Sequence, residues 1–260
     1  MTAALICARG GSKRLPRKNV KLFCGIPLVA WSIIQAKCSH LIDEVYLSTD
    51  DDEIAGVGDE YGAQVIRRPD WPDADLLQAN KPMIHMAEAI MAHRDDLEVV
   101  VPILPTNPCY YPDDTDRLIK RWHELNERDA EVALGHRCRT MIVYKDIGNG
   151  RIGQVIFDKT PGKYLQGFSH RSVFGIDFYL EVMRSLSVYD KAEDDARAAP
   201  GWVENPPACR YRMLDCQLWQ TTVDVDTLEE FELGEVLMEH YILHGRGPDI
   251  YYEYAEEYNK

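Results

Sequence analysis

Short apolar runs alternate with longer amphipathic stretches through the first half of the chain, a rhythm that predicts βαβ units around a parallel sheet. Ala3–Ala8 is apolar throughout and ends at Arg9 with no basic residue before it, so it reads as a buried first strand and not as a leader. Pro27–Cys38 predicts a helix, Glu44–Ser48 a second strand, Asp52–Tyr61 a second helix and Gln64–Ile66 a short third strand. Leu76–His93 has helical spacing, and Glu98–Leu104 reads as a buried strand carrying an awkward Pro102. Asp113–Asn126 predicts a helix whose acidic first turn suits the helix dipole, and Glu131–Gly135 another strand.

The pattern changes after Gly135. Thr140–Lys145 and Gly153–Phe157 look like β-segments flanking Gly148-Asn149-Gly150, a hairpin turn signal, so residues 137–170 are expected to form an inserted β-arm. Val173–Tyr179 returns to the core pattern, and Ala192–Pro207, rich in charge, Ala and Pro, reads as a surface excursion. Thr222–Val225 predicts a last strand and Thr227–Leu243 a helix. The expected fold is α/β: three layers with a mostly parallel open sheet, one domain over residues 1–260, and a small β-arm insertion.

Composition narrows the function. Twenty-nine basic against 43 acidic residues give a net charge of −14, which argues against a nucleic-acid binder. No window approaches the ~20 apolar residues of a membrane span. Yet Met1–Ile42 holds Arg9, Lys13, Arg14, Arg17, Lys18, Lys21 and Lys37 with no acid before Asp43, a local anion site about the size of a polyphosphate. Seven cysteines without a C-x-x-C pair suggest neither a disulfide framework nor structural zinc, and point to a reducing cytoplasm.

Ala8-Arg9-Gly10-Gly11-Ser12-Lys13-Arg14-Leu15-Pro16-Arg17-Lys18-Asn19 follows the first predicted strand directly. Its glycines let backbone N–H groups approach a ligand, while Arg9, Lys13 and Lys18 supply charge for a triphosphate. The loop matches neither the Walker pattern nor the dinucleotide fingerprint. Near the other end, Asp224 and Asp226 at i and i+2 of a predicted strand would share a face, roughly 6–7 Å apart, and can share a hard divalent cation. The other reading of this pair is a solvated strand end before a helix cap.

The loop resembles that of the acylneuraminate cytidylyltransferases, the CMP-sialic acid synthetase family. Leu47-Ser48-Thr49-Asp50, Arg67-Arg68-Pro69, Leu104-Pro105-Thr106-Asn107-Pro108, Phe174-Gly175-Ile176 and Val223-Asp224-Val225-Asp226-Thr227 match further family signposts in the same order. The resemblance implies a Rossmann-like nucleotidyltransferase fold and transfer of CMP from CTP to an acidic 2-keto sugar, with pyrophosphate leaving. It assigns catalysis to Arg9, Lys13 and Lys18. Nucleotide binding falls to Ala8, Arg9, Gly10, Gly11, Ser12, Lys13, Lys18, Asn19, Ser48, Asp50 and Arg68, and Mg²⁺ to Asp224 and Asp226. Asp50 reads equally as a cap for the following helix. A homodimer through the β-arm is also implied.

The acceptor end departs from the family pattern. Leu104 stands where the family has a Gln, and the Ser-Asp-Thr/Ser cluster after the Arg-Pro segment is absent from Asp73-Ala74-Asp75-Leu76. Leu104, Thr106, Asn107 and Arg171 are the expected acceptor contacts, with Arg139 as an alternative partner for its carboxylate. Two alternatives stay open: transfer to a small non-sugar acid such as a phosphonate, and a non-catalytic CTP-binding module.

Overall fold

The computed structural model describes residues 1–69, 71, 80–126, 128, 130–137, 142–146, 152–156, 165–166, 171–184, 210–215 and 223–246. β1 (Thr2–Cys7) is followed by a 3₁₀ turn at Lys18–Val20 and a two-rung hairpin, β2 (Leu22–Phe23) and β3 (Ile26–Pro27). That hairpin turns through Cys24 and Gly25, both at positive φ. Next come α1 (Leu28–Lys37), β4 (Glu44–Thr49), α2 (Asp52–Glu60), β5 (Gln64–Arg67), α3 (Asn80–Met91), β6 (Val99–Ile103) and α4 (Asp114–Leu125). The second half holds β7 (Ala130–Arg137), β8 (Ile142–Asp146), β9 (Ile152–Ile156), β10 (Leu165–Gln166), β11 (Ser172–Gly175) and a helix over 176–184, α5. β12 (Arg210–Asp215), α6 (Leu228–Leu237) and a π-helical continuation, Met238–Arg246, complete it.

The main sheet runs β10-β7-β11-β6-β1-β4-β5, with β12 also on β7. β1, β4, β5 and β6 are parallel, as are β7 and β12, while β10 and β11 run against their neighbours. The chain thus winds outward from β1 in both directions, so the crevice beyond the carboxyl ends of β1, β4 and β6 is a topological switch point. Alternation along the strands divides the core. Ala4, Ile6, Leu47 and Val101 pack with α1, α2 and α4, while Ala3, Leu5, Tyr46 and Val100 pack with α3 and α5. Leu28 through Ala36 are all buried, as expected of a helix that is apolar all round. Pro102 is tolerated because the β11 ladder on β6 ends at Val100 and resumes only as a bridge from Ile103 to Arg171.

The predicted elements of the first half occur within a few residues of their expected bounds, and β8 and β9 pair as an antiparallel arm. The turn at 148–150, residue 139, the stretch 192–207 and the start of the 76–93 helix lie outside the described residues. Two expectations are corrected. Val223–Asp226 forms no strand; its described backbone tie to the sheet end is Val225 N–H to Thr106 O, 2.7 Å. β12, which the sequence pattern does not single out, lies beside β7 in register from Arg210 opposite Ala130 to Asp215 opposite Gly135. The second correction concerns Arg171, which is 0% exposed. It donates to Thr115 Oγ1 at 3.2 Å and to Gln35 Oε1, and its guanidinium lies 4.0 Å from the Tyr110 ring centroid. These contacts hold it inside the fold, whereas the sequence reading expects an accessible guanidinium.

Asp114 is buried near Arg171. Burial pushes its carboxyl up, while the Tyr111 N–H and the charges of Arg171 and Arg117 pull it down. Behind the site, α6 packs against the small hairpin: a Cβ on Gly234 would stand 3.1 Å from the Phe23 ring and 3.4 Å from Val225 Cγ2. Removing a buried charge strands its partners. Arg171→Ala is therefore expected to lose about 3 kcal/mol or more in urea unfolding, and a loss under about 1 kcal/mol would show that the guanidinium is not integral to the core.

Candidate functional site

The loop leaving β1 is built by hydrogen bonds from below and from both sides. Ala8 N–H extends the β1–β4 ladder to Ser48 O at 3.0 Å, and Gly10 N–H donates to Asp50 Oδ1 at 2.9 Å. Asn19 Nδ2 reaches back to Arg9 O at 2.9 Å, and Leu15 is buried as an anchor. Arg17 takes a left-handed conformation (φ 57) and aims its guanidinium at Asp51, at 2.5 and 3.0 Å, and at Glu53. The same Asp51 caps α2 by accepting from Glu53 and Ile54 N–H, both at 3.0 Å. The Arg17 hydrogen bond, with those two N–H groups, holds the Asp51 carboxyl below its ordinary range despite partial burial. Gly10 is required here because a Cβ would collide with the Asp51 side chain. The result is a loop fastened to the end of β4 at both its start and its finish.

The aspartate segment meets this loop. Lys18, 6% exposed, donates from Nζ to Val225 O at 2.6 Å and to Asp226 Oδ1 at 2.7 Å. Arg14 reaches the other oxygen, Oδ2, at 2.7 Å. Burial raises the Asp226 carboxyl, but the Lys18 hydrogen bond and the charges of Lys18, Arg14 and Arg9 outweigh it and leave it below the usual range. The segment is held from behind by Asn107, whose Nδ2 donates to Val223 O. Ahead of it, Thr227 and Glu230 form a capping box for α6, and Glu230 Oε2 accepts from Asp226 N–H at 2.9 Å.

Among the predicted residues, the structure brings Arg9, Gly10, Lys18, Asp50 and Asp226 around one crevice. Gly11 and Lys13 lie exposed on the same loop, Ser12 beside them, and Asp224 two residues before Asp226. Others form framework. Ser48 is buried and accepts from Arg68 Nε at 3.1 Å, while Arg68 also donates to Ser48 O at 3.0 Å. Asn19, Thr106 and Asn107 make the backbone ties already described, and Leu104 stands half-buried at the end of β6. Sequence reasoning missed Arg14, Arg17, Asp51 and Glu230. Both arginines stand in the basic run, and Thr227-x-x-Glu230 is a readable capping box, whereas the Arg17–Asp51 pairing has no sequence signature.

A cationic, glycine-containing loop at the switch point of an open α/β sheet, facing an aspartate segment, defines an α/β protein with its crevice where such folds take ligands. A family profile described as cytidylyltransferase matches residues 3–149, and the chain belongs to that family. It is 34% identical over 125 residues to N-acylneuraminate cytidylyltransferase B of Danio rerio, a match covering 48% of this chain and 26% of that one. It is 37% identical over 114 residues to CMP-N,N'-diacetyllegionaminic acid synthase of Legionella pneumophila, covering 42% and 48%. The chain therefore matches only about a quarter to a half of these curated relatives' lengths. The solved CMP:2-keto-3-deoxy-manno-octonic acid synthetase complexed with CTP shares the fold at TM-score 0.59 and 17% identity, over 92% of this chain and 98% of that one.

The depressed Asp226 carboxyl sets a pH signature. Its pairing contributes stability above the ordinary carboxylate pKa of about 4, and that contribution fades as pH falls through the lower folded value. Lys18→Met should therefore lower the melting temperature most at neutral pH, with the gap to wild type narrowing below about pH 4. A gap independent of pH would show that the ion pair contributes nothing.

Proposed function

We propose that this protein transfers CMP from CTP to a hydroxyl of an acidic sugar of the nonulosonic type and releases pyrophosphate. The observation that carries the reading is the meeting of Lys18 with Asp226 at the mouth of the Gly10–Gly11 loop. The acceptor oxygen forms a bond to the α-phosphorus, the bond from that phosphorus to the bridging oxygen of the leaving diphosphate breaks, and the hydroxyl proton is lost to solvent. Such transfer depends on positioning and charge neutralisation more than on covalent chemistry by the protein. Arg9, Lys13 and Lys18 neutralise the triphosphate and the departing diphosphate, and the Gly10–Gly11 backbone and Ser12 supply hydrogen bonds. Asp50 holds the loop through the Gly10 N–H.

A divalent cation suits the donor set. Asp226 offers hard carboxylate oxygens beside Lys18 and Arg14, and Asp224 stands two residues before it, half-buried. Two carboxylates with the remaining positions left to water and phosphate oxygens match Mg²⁺. Such an ion supplies Lewis-acid polarisation of phosphate oxygens. Two further points belong to the same proposal. The protein acts in a reducing cytoplasm, which the free thiols of Cys7, Cys24 and Cys109 support. It self-associates through the β8–β9 arm, which pairs apart from the main sheet. No helix among the described residues is long and apolar enough to cross a membrane.

A second reading, transfer to a smaller acid, is favoured by the acceptor end. Arg171 and Asn107 are buried and engaged, and Leu104 carries no hydrogen-bonding group. One assay separates the readings: pyrophosphate release from CTP with nonulosonic acids, 3-deoxy-octulosonic acid and small phosphonates as acceptors. Turnover with a nonulosonic acid is expected, and release with phosphonates alone would install the second reading. Tight CTP binding with no release for any acceptor would identify a binding module instead. Asp226→Asn should cut turnover at least a hundredfold in the presence of Mg²⁺ while still melting cooperatively, at a lower temperature at neutral pH because Lys18 loses its carboxylate partner. Undiminished turnover would remove the carboxylate from the chemistry.

A further inference from the structure

Resting on the cation reading of Asp224 and Asp226, we infer that Asn107 is a positioning residue that sets where these two carboxylates stand. Val223–Asp226 belongs to no ladder, so the sheet does not dictate its position as it dictates that of β1 or β6. Its place rests on separate contacts. Asn107 Nδ2 donates to Val223 O, Val225 N–H donates to Thr106 O at 2.7 Å, Lys18 Nζ reaches Val225 O at 2.6 Å, and Glu230 takes the Asp226 N–H at 2.9 Å.

Asn107 differs from the others in what stands behind it. It is 1% exposed, stands in the turn after β6, and donates its own N–H to Leu104 O at 3.2 Å, between Pro105 and Pro108. Pro108 O is in turn held by Gln35 Nε2 of α1 at 2.6 Å. The amide therefore projects from a turn tied to α1 onto a segment 116 residues away in sequence. Lys18, by contrast, must be able to exchange Asp226 for phosphate when a nucleotide enters, and Glu230 fixes only the start of α6. Asn107 and Thr106 are the ties that persist whichever partner Lys18 holds. A serine at this position would end one bond short of the reach of the carboxamide nitrogen.

The role separates cation coupling from nucleotide affinity. CTP binding to the full-length chain is measured by calorimetry in EDTA and again with Mn²⁺, for wild type, Asn107→Ala, Asn107→Ser and Asp226→Asn, with a thermal melt of each. In wild type, Mn²⁺ is expected to tighten CTP at least tenfold, and Asp226→Asn to abolish that gain. Asn107→Ala should keep the EDTA affinity within about twofold yet lose most of the gain; Asn107→Ser carries the same test should the alanine variant not fold. Full retention of the Mn²⁺ gain in the folded Asn107 variant overturns the inference while leaving the cation reading intact. Equal weakening in EDTA and in Mn²⁺ overturns it too, since the residue would then be plain framework. If Asp226→Asn keeps the gain, the cation reading fails, and the inference with it.

Discussion

The structure depends on how one buried ammonium is satisfied. Burying a charge is unfavourable by several kcal/mol unless it is paired and hydrogen-bonded, and Lys18 is almost wholly enclosed. Its partners, the Val225 carbonyl and the Asp226 carboxylate, come from the far end of the chain, 207 and 208 residues away. This contact joins a loop emerging from the centre of the sheet to a segment outside any ladder. The remaining polar contacts around the crevice fix one side or the other. Asp50 and Asp51 fasten the loop to β4, while Thr106, Asn107 and the Thr227–Glu230 capping box fasten the aspartates.

Charge distribution gives the same arrangement its chemical sense. A chain carrying −14 overall repels anions at long range, so its cations are useful only where concentrated. Arg9, Arg14 and Lys18 all lower the Asp226 carboxyl, which means the aspartate stands inside their positive field and does not repel an approaching phosphate alone. In the proposed function, a triphosphate entering the crevice would exchange partners with existing charges and create no new uncompensated one. That exchange is gentler than stripping water from isolated groups.

Much of this was legible in the amino-acid order. Alternating apolar runs located β1, β4 and β6, because strands buried on both faces leave an unmistakable apolar signature. The loop and Asp226 were legible because glycine, clustered cations and spaced carboxylates each have few other uses in combination. The failures share a cause. Val223–Asp226 has strand-like composition, but its hydrogen bonds go to Thr106, Asn107 and Lys18, partners far away in sequence that no local pattern reveals. β12 was missed, and its pairing with β7 is likewise non-local. Arg171 looked like an exposed binder because arginines usually are. Its burial is decided by Gln35, Thr115 and Tyr110, which come from three other places in the chain.

Gly234 carries no functional group, yet it sets the stand-off between α6 and the core, lying against both the Phe23 ring and Val225. α6 begins one residue after Thr227, so a side chain at 234 asks the Phe23 ring or Val225 to give way by a few tenths of an ångström. The missing methyl group lets the helix settle close behind the stretch that carries Asp226. In this family member, apolar bulk on the side opposite the chemistry meets that stretch from the rear.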